Sequence, residues 1–104
     1  MQPDVAMHVA RYIAEYRALV ITDALAVLTN PHLRDLATIA HRLAGTLASF
    51  GLLEAALLAR RLEGISRPFA ATPAASNAPD DVAEADPETR AALTALRRCL
   101  ESTP

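Results

Sequence analysis

Lysine is absent from this chain of 104 residues: all ten basic residues are arginine, set against twelve acidic ones for a net charge of −2. With no basic excess, nothing drives binding to nucleic acid through its phosphates. Tryptophan is missing and aromatics make up 4% of the chain. Val, Ile, Tyr and Phe are sparse, so β-strands lack the residues they favour. Cys99 is the single cysteine, which excludes an intrachain disulfide and a cysteine-based zinc site. One cysteine is compatible with a reducing compartment. No apolar run approaches the ~20 residues that a membrane-spanning helix needs. The N-terminus carries Asp4 and no basic flank before an apolar core, so no secretory signal is expected. A cytoplasmic protein that binds neither membrane nor nucleic acid is the expectation.

Alanine and leucine supply most of a hydrophobic content of 52%. Both are strong helix formers. The length suits a single domain over residues 1–104 with a modest core. Asp4 can cap a first helix, in which Val5, Val9, Tyr12, Ile13, Tyr16, Leu19 and Val20 recur at helical steps. The pattern runs on through Leu25 and Leu28. It reads either as one long helix from about Val5 to Thr29 or as two helices bent at β-branched Val20–Thr22.

Asn30-Pro31 is a boundary, with a good N-cap followed by a residue suited to the first helical position. The next helix is expected from Pro31 to about Phe50, with its stripe at Leu33, Leu36, Ala40, Leu43, Leu47 and Phe50. Gly51 can end it. A further helix is expected from Leu52 to Glu63, with Leu53, Leu57, Leu58 and Leu62 inward and Gly64 as terminator. Residues 65–86, rich in Ala, Pro, Ser and Asp, read as a mobile loop. Asp86-Pro87 repeats the start signal, and a last helix places Ala92, Leu93, Leu96 and Leu100 inward. The expected architecture is all-α: an antiparallel four-helix bundle with an additional or extended N-terminal helix.

Of three histidines, His41 stands apart. The apolar stripe of its helix centres about 130° away, so His41 points toward solvent at the edge of the core. On its face lie Arg34, Ala37, Thr38, Ala44, Gly45 and Ala48, all short but Arg34. Such a histidine is open to approach by another protein. Gly45 needs a reason, because a glycine inside a helix costs ~1 kcal/mol against alanine. Close approach of a neighbouring helix, or of a partner to His41, supplies one. His32 in a first turn and His8 on the first helix read as surface or packing residues. No carboxylate stands at ligand spacing to make a metal site of the three histidines. No Gly-rich phosphate loop, serine-nucleophile motif or Cys–His pair is present.

The run Ala40-His41-Arg42-Leu43-Ala44-Gly45, with Phe50-Gly51 beyond it, resembles the histidine-phosphotransfer (HPt) family. The family pattern is a small residue, the phosphorylated histidine, any residue, an aliphatic residue, lysine and glycine, with a second glycine six residues later. His41, Leu43, Gly45 and Gly51 fall in that register, and Leu62-Glu63 matches the close of the family's next helix. The resemblance is good over residues 19–63. It departs at Ala44, where the family usually carries the lysine that helps to hold the phosphoryl group. Arg34, Arg42, Arg60 and Arg61 are candidates to replace it, since arginine binds phosphate through its planar fork.

The resemblance implies a phosphocarrier, not a kinase, that binds no ATP and needs no cofactor of its own. His41 would exchange a phosphoryl group with response-regulator receiver domains, which supply the Mg²⁺. A hybrid sensor kinase would stand upstream. The expected docking surface comprises Thr38, Ala44, Gly45, Ala48, Leu52, Ala55 and Ala59 of a monomer. The competing expectation, favoured by Ala44, is a helical adaptor or inhibitor that binds a receiver or kinase without being phosphorylated.

Overall fold

The computed structural model describes residues 3–29, 31–70 and 87–103. The Asn30 and Asp86 caps and most of the expected loop lie outside the described residues. The described chain forms four α-helices: α1 (Pro3–Val27), α2 (Leu36–Ser49), α3 (Leu53–Ala70) and α4 (Pro87–Glu101), with a 3-10 turn, Leu33–Asp35, before α2. The all-α bundle expected from composition is the fold, and its extended N-terminal helix is α1.

α1 is one helix, not two. Thr22 does not break it, because its hydroxyl donates to the Ala18 carbonyl one turn back at 3.0 Å. Among the described side chains, α1 joins the core through its C-terminal half, at Ala24, with Leu28 just beyond its end. Val9, Tyr12, Tyr16 and Leu19, expected on its inward stripe, are exposed instead. Tyr12 and Tyr16 pack on each other with ring centroids 4.4 Å apart, and Tyr16 stacks over Phe50 at 6.5 Å.

The turn between α2 and α3 positions the site. Gly51 has φ +76°, the left-handed conformation that glycine adopts without a Cβ penalty. Leu52 N–H donates to the Leu47 carbonyl at 2.9 Å and Gly51 N–H to the Ala48 carbonyl at 3.0 Å. This is a Schellman cap, and Leu47 and Leu52, both buried, make its apolar contact. Arg17 of α1 adds a further bond, Nη2 to the Phe50 carbonyl at 2.9 Å. A cation there also suits the negative end of the α2 dipole.

α2 and α3 therefore fold back as an antiparallel hairpin, and small side chains line its seam. Ala40 and Ala44 of α2 are buried, as are Ala55, Ala56 and Ala59 of α3. Alanines let two helix backbones approach closely. Leu33, Leu36, Leu47, Leu62, Leu96 and Leu100 fill the space between the hairpin and its neighbours. Each is worth about 1.5–3 kcal/mol on burial.

α3 does not stop at Gly64 as expected but runs on to Ala70, through Gly64 and Pro68. Residues 65–70 are thus helix and not loop. Burial outweighs the poor propensity of the two residues. Ser66 is fully buried, with its hydroxyl donating to the Leu62 carbonyl, and Ile65 and Phe69 pack against the core. The inward stripe of α3 is also displaced from the one expected. Leu53 is 65% exposed and Leu57 64% exposed, because the alanines take the seam. The inward stripe of α4 is as expected, with Ala92, Leu93, Leu96 and Leu100 buried.

Candidate functional site

His41 sits in the second turn of α2, ten residues before the Gly51 turn, and Glu63 sits on α3 twelve residues after it. Positions nearly equidistant from a hairpin turn face each other, and these two meet. His41 Nδ1 lies 3.1 Å from Glu63 Oε2. Arg67, one turn further along α3, donates through Nη2 to the same oxygen, also at 3.1 Å. Glutamate four residues before arginine is the favourable order for a helical pair.

Exposure divides the three. The side chains of His41 and Arg67 are 74% and 73% exposed, whereas that of Glu63 is 18% exposed. Desolvation pushes the Glu63 carboxyl up, but the hydrogen bonds from Arg67 and His41, with their charges, outweigh it and hold the carboxyl below its ordinary value. Glu63 is therefore ionised at neutral pH and can only accept hydrogen bonds. His41 Nδ1 must then be the donor. In a neutral imidazole that leaves the lone pair on Nε2, the remote ring nitrogen. A carboxylate oriented in this way fixes the tautomer and supports positive charge that develops on the ring.

The expected docking residues divide in two. Thr38 and Gly45 are exposed, and Ala48 is half-buried. Ala44, Leu52, Ala55 and Ala59 are buried and cannot form an open surface. The buried face of α2, Leu36, Ala37, Ala40, Ala44 and Leu47, is turned toward His41 relative to the stripe read from the large side chains. That leaves His41 roughly 90° from its centre, at the rim of the seam. On α3 the exposed large apolar residues are Leu53 and Leu57. Arg34, Arg42, Arg60 and Arg61 are all exposed. Among the described residues, the cation bonded to the histidine's partner is Arg67, in the stretch expected to be loop.

A Cβ added to Gly45 meets nothing within 4 Å among the described residues, so no described helix explains this glycine. Among the described residues no three His, Cys, Asp or Glu side chains converge on a point that could hold a metal ion. His32 is exposed, and the side chain of His8 lies outside the described residues. Burial and then the Glu54 carboxylate raise the Cys99 thiol, which disfavours the reactive thiolate. No described helix is long and apolar enough to cross a membrane.

A family model described as Hpt domain matches residues 9–101. Comparison with curated proteins and with solved structures found no match.

Proposed function

The chain belongs to the Hpt domain family, and we propose on that footing that it carries a phosphoryl group on His41 between receiver domains of a phosphorelay. The observation that supports this most is the exposed His41 ring, tethered through Nδ1 to Glu63 at 3.1 Å with Nε2 left unengaged by that contact.

Near neutral pH an ordinary histidine, with a pKa of about 6.5, is largely unprotonated and nucleophilic. The Nε2 lone pair attacks the phosphorus of a receiver phosphoaspartate. The N–P bond forms as the P–O bond to the aspartate breaks, and that electron pair leaves with the carboxylate. No proton moves: Nδ1 keeps its hydrogen, and the ring gains a positive charge beside the Glu63 carboxylate. Charge on the phosphoryl oxygens in the loose transition state is met chiefly by the receiver's Mg²⁺. Reversal onto a second receiver completes the relay. A hybrid sensor kinase stands upstream, and this cytoplasmic, monomeric chain binds no ATP.

The docking face on this reading is Thr38, His41, Gly45 and Ala48 of α2 with Leu53 and Leu57 of α3. The two leucines replace the buried Leu52, Ala55 and Ala59 as its apolar part. One observation favours a second reading, that of a binding module which is never phosphorylated. Ala44 stands where the family usually has its phosphoryl-holding lysine, and it is buried.

Transfer from a panel of 32P-labelled receiver domains, with His41→Gln run in parallel, separates the two. Acid-labile label on the wild type and none on the variant is the expected result, with the variant folded because His41 is exposed. Binding of a receiver without transfer would give the second reading precedence.

A further inference from the structure

We propose that Arg67 is the side chain that holds the phosphoryl group on His41, in the role that Ala44 cannot fill; this rests on the carrier reading above. Arg67 and His41 share one oxygen of Glu63, each at 3.1 Å. Nη2 of Arg67 therefore lies no more than about 6 Å from His41 Nδ1, the range over which one charge acts strongly on another, and the phosphoryl group would sit across the ring on Nε2, within reach of a pivoting side chain.

Charge argues for this cation. Phosphorylation brings roughly two negative charges to a ring that already leans on a carboxylate. Glu63 supports the imidazolium but repels the phosphoryl oxygens. A cation already paired with Glu63 offsets that repulsion without a new element moving in. The contact with Glu63 uses one amino nitrogen of Arg67, and a guanidinium carries five N–H donors in a planar fork. The side chain is 73% exposed, so it can pivot on Glu63 toward an incoming group. Among the described residues, Arg42, Arg60 and Arg61 show no such link to the histidine's own partner.

The position of Arg67 depends on the extension of α3 past Gly64. Buried Ser66 and half-buried Phe69 hold that turn on the core, and it delivers residue 67 one turn beyond Glu63. A chain whose third helix ended at Gly64 would have no ordered cation here.

The test uses the full chain loaded chemically with phosphoramidate, so no receiver is needed. The 31P resonance of phosphorylated His41 is identified by its absence from His41→Gln, and its chemical shift is followed against pH. A cation beside the phosphoryl group favours the dianion. In Arg67→Ala the second ionisation constant should fall about two- to fivefold, the scale of an exposed ion pair. Arg67→Lys should keep part of the effect, and Arg34→Ala, Arg42→Ala and Arg60→Ala should titrate as the wild type. A purely structural role for Arg67 would leave this constant unmoved. Arg67→Ala titrating as the wild type overturns the proposal. Failure of every receiver to phosphorylate the wild type would overturn the carrier reading instead, and the two failures are separable because the titration does not involve a receiver.

Discussion

Replacing Gly45 with alanine should stabilise this fold. Gly45 lies inside α2, it is exposed, and the one glycine with positive φ is Gly51. A Cβ at 45 meets no atom of the described residues within 4 Å, so no steric cost is set against the gain in helix propensity. That gain is about 0.8–1 kcal/mol for glycine to alanine in a helix interior. In a domain of this size it corresponds to a rise in Tm of about 4–8 °C. Gly64, inside α3 with the same open space around its Cβ, is the internal control and should respond alike. Thermal unfolding followed by far-UV circular dichroism measures both. A fall in Tm for Gly45→Ala would refute the reasoning, because it would mean that a neighbour needs the space. If the space serves a docking partner, Gly45→Leu should fold at wild-type stability or better and yet slow phosphoryl transfer. Unimpaired transfer through Gly45→Leu would remove Gly45 from the docking face.

Two further outcomes follow from the same structure. Glu63→Gln removes a carboxylate whose native pKa is depressed. Its stabilising contribution is present above the ordinary carboxylate value of about 4.3 and is lost as pH falls through the lower native one, so the Tm gap between variant and wild type should close with acidification. Its transfer rate at neutral pH should drop by up to roughly fivefold, the scale of an exposed charged contact. A gap that widens in acid would contradict the assignment. Gly51→Ala forces a side chain into φ +76° with its Cβ 3.3 Å from Arg17 Nη2. It should destabilise by about 1–2 kcal/mol, seen as a lower urea midpoint at unchanged slope.

The helical class, the bundle and the Gly51 turn were legible because each rests on a local signal. These were the Ala/Leu composition, the three- and four-residue periodicity, and a glycine followed by a new apolar run. Two features are not legible for one reason: large apolar side chains do not always mark the inside. In the α2–α3 seam the alanines are inside, and Leu53 and Leu57 are displaced outward. Close helix contact selects small residues, and a periodicity of leucines cannot reveal which small residues meet a partner. The end of α3 was misplaced because Gly64 and Pro68 are local stop signals, overridden here by burial of Ser66 and packing of Phe69. The site's second charge lies in that extension. Glu63 and Arg67 stand at the i, i+4 spacing of a helical ion pair in plain sequence, but the pair has meaning only if the helix continues.

The absence of a cation at position 44 and its presence at 67 have a common physical cause on the proposed reading. Ala44 is 4% exposed in a seam otherwise closed by Ala40, Ala55, Ala56 and Ala59. A long cationic side chain starting there would have to thread out between α2 and α3, and the helices would separate to admit it. Separation would cost the contact between His41 and Glu63, which exists because the two backbones run close. Closeness of the hairpin and a cation on the histidine's own helix therefore compete. The chain resolves the competition by placing the cation on α3, outside the seam and one turn past Glu63. The consequence is that orientation of the imidazole and neutralisation of its phosphoryl group both pass through one carboxylate. Loss of Glu63 should release Arg67 as well as His41. For that reason the effects of Glu63→Gln and Arg67→Ala on the phosphoryl ionisation should be non-additive: with Gln at 63, loss of Arg67 should change the constant less than it does in the wild type.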